Sequence, residues 1–127
     1  MDIKEAKTVL KSQLAAYAGL TALVPASRHV AGYPNSFATL PMISFSEEDN
    51  FNTDADRFDD EPIADTSVME INIWVAPNTS STPIFKQLNA CMELNGWNRD
   101  GAADTVDPES KIVRKFCRYS TVLYREA

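Results

Sequence analysis

The sequence predicts an α+β fold: a mostly antiparallel sheet of three to four strands, two helices packed on one face, and long loops. Three observations point there. Residues 2–18 and 82–95 repeat apolar side chains at three- and four-residue steps, the helical period. Residues 40–46, 68–75 and 111–125 are short apolar or alternating runs, the strand pattern. Strands stand before and after the second helix, which suits helices gathered on one face of a sheet. The 127 residues suit one domain, 1–127.

The first helix has Ile3, Ala6, Val9, Leu10, Leu14 and Tyr17 on one stripe. Asp2 can cap its start and Gly19 its end. Seventeen residues make about 25 Å of helix, enough to cross a small sheet. A short apolar turn, Leu20 to Val24, stops at Pro25. Residues 26–39 read as loop with a brief strand at 29–31. Leu40 to Ser46 is a strand, with Pro41 near its start where a missing N–H does least harm. Residues 47–63 break the pattern and read as an acidic loop or arm.

Val68 to Val75 is the clearest strand. Met69, Ile71, Ile73 and Val75 point one way, Glu70 and Asn72 the other. Pro77-Asn78-Thr79 is a turn, and a second helix opens at Thr82-Pro83. Ile84, Phe85, Leu88, Cys91 and Met92 make its stripe, and Gly96 ends it. Residues 97–110 read as a long turn-rich connection. A final strand over 111–125 has Val113, Cys117, Tyr119, Thr121 and Leu123 toward a core, with Arg114, Phe116, Arg118, Ser120 and Val122 opposite.

Hydrophobic residues at 44% and charged residues at 24% exclude a disordered or fibrous chain. Twelve basic against 18 acidic residues leave a net charge of −6, the wrong sign for a general nucleic-acid binder. No apolar run nears the ~20 residues of a membrane helix. The charged start, Met1 to Glu5, lacks the apolar block of a signal peptide, so a cytoplasmic origin is expected. Cys91 and Cys117 have no CxxC spacing and read as buried free thiols.

Catalytic signatures are sparse. There is no GxSxG, HExxH, phosphate-cradling glycine loop or zinc spacing. The single histidine, His29, sits between Arg28 and Val30 with no nucleophile nearby in sequence. Asn50, Asn52, Asp54 and Glu61 fall at calcium-loop steps, but Ala55 stands where such a loop needs glycine. No enzyme activity, cofactor or metal is expected.

Charge placement is more informative. Glu47, Glu48, Asp49, Asp54, Asp56, Asp59, Asp60 and Glu61 crowd one segment, against Arg57 alone, with Phe51 and Phe58 embedded. Lys111, Arg114, Lys115, Arg118 and Arg125 share the last strand. An acidic arm and a basic strand, with Arg114, Lys115 and Arg118 at its centre, can dock head to tail between copies, and such contacts close into rings.

The order of parts resembles a family. A helix, an apolar turn ending Val24-Pro25 and the strand Leu40-Pro41-Met42-Ile43-Ser44-Phe45 open it. A polar excursion, Ile71-Asn72-Ile73-Trp74-Val75, a helix and a closing Tyr119-Ser120-Thr121-Val122-Leu123-Tyr124-Arg125-Glu126 complete it. Together these resemble the tail-completion, tail-terminator and head–tail joining proteins of long-tailed bacteriophages and prophages, over nearly the full length. The acidic 47–62 stretch and the 97–110 connection depart from that pattern. The resemblance implies a virion protein of the tail or neck, assembled in the host cytoplasm. It implies a ring of copies, commonly a hexamer, that ends tube polymerisation at the head-proximal end. Its partners would be the tail tube protein and the head connector or stopper, with DNA passing through without specific binding. The competing reading is a small acidic decoy that mimics DNA, which wants carboxylates spread along a whole face.

Overall fold

In the computed structural model, which describes residues 6–52, 57–58, 61–62 and 64–124, the chain is α+β with three helices and a five-stranded sheet. Helix α1 spans Ala6–Ala16 and the one-turn helix α2 spans Ala18–Thr21. A 3-10 turn at Ala26–Arg28 leads into β1, His29–Ala31. Strand β2 is Met42–Asn52, and the short β3 (Arg57–Phe58) and β4 (Glu61–Pro62) pair with each other. Strand β5 is Ala64–Val75, helix α3 is Thr82–Leu94, β6 is Asn98–Val106 and β7 is Val113–Tyr124.

The sheet order is β1-β2-β5-β7-β6. Only β1 runs parallel to its neighbour, β2, and the other three pairings are antiparallel. The expected three or four strands are therefore five, and the sheet is mixed. The extra strand is β6, where a loop over 97–110 was expected. Every residue of β6 but Gly101 is exposed, so no face alternates in hydropathy. Its strand geometry comes from pairing with β7.

Alternation puts Ile43, Phe45, Met69, Ile71, Ile73, Val75, Cys117 and Tyr119 on one face. These residues form one core with Ala6, Leu10 and Leu14 of α1, Leu20 and Val24 after it, and Ile84, Leu88, Cys91 and Met92 of α3. Burying each large aliphatic side chain contributes about 1.5–3 kcal/mol. Helix α1 starts within the predicted 2–18 range but breaks at Tyr17, whose φ of −88° and ψ of 102° are extended. That kink lets α2 turn Leu20 into the core instead of following the α1 axis. The predicted cap Asp2 and the first stripe residue Ile3 lie outside the described residues.

Helix α3 ends as the sequence predicts. Gly96 takes φ +84°, its N–H donates to Glu93 O at 3.1 Å, and Trp97 N–H donates to Met92 O at 2.9 Å. This is a Schellman motif, which ties off the last free carbonyls. It also drops Trp97 into the core, where its indole N–H donates to Gln13 Oε1 of α1 at 3.0 Å.

Candidate functional site

The acidic stretch is the first place where register matters. Strand β2 continues through Glu47 to Asn52, paired with β5 down to Asn52 opposite Asp65, with a bulge between Glu47 and Asp49. A loop was expected from residue 47. The ladder instead carries Glu47 to the last core rung, opposite Met69, which also pairs with Tyr119, and Asp49 one rung past it. Glu47 accepts from Ser67 Oγ at 2.8 Å. Glu48, at the bulge, pairs on the opposite face with Arg118, whose Nε donates to Oε2 at 3.0 Å. Asp49 is exposed. The backbones of Phe51, Phe58 and Glu61 lie in β2, β3 and β4. Asp54, Asp56, Asp59 and Asp60 lie outside the described residues. Asn50 and Asn52 sit in the ladder, so they do not form the turn of a calcium loop. No group of three metal-ligating side chains occurs among the described residues.

The basic strand is split by its own pleat. Arg114 and Arg118 point to the face away from the helices. Arg114 donates through Nε to Asn72 Oδ1 and through a terminal nitrogen to Glu70 Oε1, both at 2.7 Å. Its guanidinium lies 5.4 Å from the Trp74 ring centre and 5.5 Å from that of Phe116. Lys115 points to the helix side, where it lies 4.6 Å over Phe85 and 3.3 Å from Asp104. All three predicted interface cations thus have carboxylate partners within the chain, Arg114 and Lys115 from the adjacent strands β5 and β6 and Arg118 from β2, across β5.

No described helix covers the second sheet face. Segment 32–41 covers one end of it. Phe37 meets Trp74 at 4.7 Å with its ring tilted by 49°, and Tyr33 meets Trp74 edge-on at 5.5 Å. Trp74 is buried by this contact, and its indole N–H donates to Ser44 Oγ at 2.9 Å. Beside these rings a cleft of about 340 Å³ is walled by Arg114, Ile112, Val106 and the Asp107–Ser110 turn. Sequence reading singled out none of Tyr33, Phe37 or Trp74 for this role. Their meeting depends on a loop folding back across the sheet, which no local period announces.

The nucleophile candidates are placed for packing. Cys91 and Cys117 are buried and free. Burial raises the Cys91 thiol and pushes Cys117 up to about 12, so neither supplies thiolate near neutral pH. His29 is buried, with its Nε2 2.9 Å from Val24 O and its Nδ1 without a partner. Burial lowers its proton affinity, and the Lys11 charge adds to that. Tyr119, in the core, is pushed well up by burial, and its hydroxyl donates to Asn89 Oδ1 at 3.2 Å.

A second charged surface escaped the sequence reading. Ala6 to Ser46 holds Lys7, Lys11 and Arg28 and no acid. Lys7 and Lys11, one helical turn apart, are exposed on α1, and Lys86 is exposed on α3. No ion pair joins any of them to a carboxylate among the described residues. The absence of acids over that stretch was the available signal.

No protein-family model matches this chain, and the search of curated proteins finds no match. No described helix is long and apolar enough to cross a membrane.

Proposed function

We propose that this chain is a structural virion protein of a long-tailed bacteriophage or prophage. Copies of it form a ring, hexameric in the family it resembles, at the head-proximal end of the tail tube. The ring ends tube polymerisation, receives the head connector or stopper, and lets DNA through its lumen. The observation that carries this reading is the acid-bearing ladder. Three of the eight acids in the 47–61 segment of net −7, Glu47, Glu48 and Asp49, lie on β2 where it runs on beside β5 at and past the last core rung. Carboxylates presented toward a lumen repel phosphates, so DNA slides without adhering. The chemistry fits a subunit that works by contact. Its described thiols are held protonated by burial, and its histidine is committed to packing.

The decoy reading draws less support. A DNA mimic needs free carboxylates along a face, whereas Glu48 and Glu70 on the open sheet face are neutralised by Arg118 and Arg114. Adding the purified protein to growing tail tubes tests the proposal by electron microscopy. Capped tubes of fixed length are expected. Tubes that lengthen regardless, with no density added at their ends, would refute it.

A further inference from the structure

We propose that the aromatic cleft on the open sheet face is a docking site for a proline-rich segment of another protein, bound as a polyproline helix. The inference goes beyond the ring reading and does not depend on it.

Both walls of the cleft are fixed by bonds within the chain. On one side, Gly32 N–H donates to Phe45 O at 2.8 Å and Pro34 is buried, which anchors the loop that carries Tyr33 and Phe37. Tyr33 sets its ring edge-on to Phe37 at 6.1 Å as well as to Trp74. On the other side, Asp107 N–H donates to Ile112 O at 3.0 Å and Lys111 N–H donates to Asp107 O at 2.9 Å, closing the turn beside Val106. Tyr33 is nevertheless 69% exposed and Val106 55% exposed. Two of the five large apolar side chains exposed among the described residues therefore line this one cleft. Its volume of about 340 Å³ is at the small end for ligand sites and suits a few residues of a narrow chain.

Charge and hydrogen bonding select the occupant. A cation is disfavoured, because Arg114 already lies over the Trp74 ring and lines the cleft. An anion is disfavoured too, because Glu70 neutralises Arg114, Asp107 lines the same cleft, and the chain totals −6. That leaves a neutral ligand, and what the cleft offers it is a donor. Arg114 spends Nε on Asn72 and Nη2 on Glu70, while its Nη1 makes no bond among the described residues. On the facing turn the side-chain acceptors are spent. Asp107 takes the N–H groups of Glu109 and Ser110 and the Ser110 hydroxyl, and Ser110 Oγ takes the Ile112 N–H. A segment rich in carbonyls and poor in N–H groups matches that imbalance, and proline is the residue that has no N–H. Its ring packs against aromatic side chains, and a polyproline helix is already extended before it binds, which limits the ordering cost.

Titration with acetylated decaproline, followed through the two indole N–H signals by nuclear magnetic resonance, tests this. Trp74 lines the cleft and Trp97 belongs to the core on the other face, so the first signal should move saturably and the second should stay. A Kd on the order of 0.1–1 mM is expected for so small a site. Tyr33→Ala and Val106→Lys change exposed positions on the two walls, and each should weaken binding about tenfold, with thermal melting to check that each folds. A glycine–serine decapeptide should leave both signals in place. A Trp74 signal unmoved at about 5 mM decaproline would overturn the proposal. So would equal movement with the glycine–serine peptide, or wild-type affinity in the folded variants. Movement with protein concentration alone would assign the cleft to a second copy, and tighter binding of benzoate than of decaproline would assign it to a small anion. Either result would also overturn the inference.

Discussion

Replacing Arg114 with Met removes a charge while keeping most of the side chain's apolar stem. Two charge-assisted hydrogen bonds disappear, to Asn72 and to Glu70. Bonds of this kind contribute about 1.5–3 kcal/mol each. Asn72 is only 5% exposed, so its carbonyl loses its partner with little water to replace it. Glu70 is 27% exposed and can rehydrate in part. The two contacts with Trp74 and Phe116 add about 0.5–1 kcal/mol each, and Met recovers some of that by packing. The contributions share partners and do not sum, which leaves a net loss of about 2–4 kcal/mol. For a chain of this size 1 kcal/mol moves the melting midpoint by about 4 °C. A fall of about 8–16 °C in a far-ultraviolet melt is therefore expected. A double-mutant cycle with Glu70→Gln should show about 1–2 kcal/mol of coupling. A midpoint within about 2 °C of wild type, or no coupling, would refute the reading that Arg114 is held as a structural cation.

Three further perturbations probe other parts of the fold. Ile73→Asp places a carboxylate at a position with no exposure, on the central strand, and should cost about 4 kcal/mol or more, seen as loss of a cooperative melt. Gly96→Ala forces a side chain into the φ +84° turn and should cost about 1–2 kcal/mol in urea unfolding, with the spectrum of the native state unchanged. His29 binds its proton less readily folded than at the ordinary value of 6.5, so its contribution is intact above pH 6.5 and is lost as pH falls toward the folded value. Melts between pH 7 and 5 should show a steeper decline for wild type than for His29→Gln, and equal slopes would contradict the burial argument.

The parts of the fold governed by local period were legible in the sequence. Strand β5 announced both its faces, because Met69, Ile71 and Ile73 alternate with Glu70 and Asn72. Helix α3 announced its stripe and its stop, because the Gly96 turn is a local conformational demand. Strand β6 was not legible. Asn98 to Val106 contains a glycine, three charges and no buried face, so only its partner β7 makes it a strand. The acids of β2 misled for a related reason. Mutual repulsion argued for a loop, but Ser67 reaches Glu47 from the adjacent β5 and Arg118 reaches Glu48 from β7, across β5. The candidate site divided the same way. Parity alone separates Lys115 from Arg114 and Arg118, yet their carboxylate partners emerge only from the register across three strands. The helical cations were visible as an absence of acids, a signal that carries meaning only after the strand cations have been paired off.

Self-association is the property on which the functional reading stands, and mass photometry of the purified chain over a dilution series measures it directly. A closed ring gives one discrete mass several times 14.1 kDa, with no ladder of larger species. A single monomeric mass at every concentration, unchanged by adding tail tubes, would contradict it.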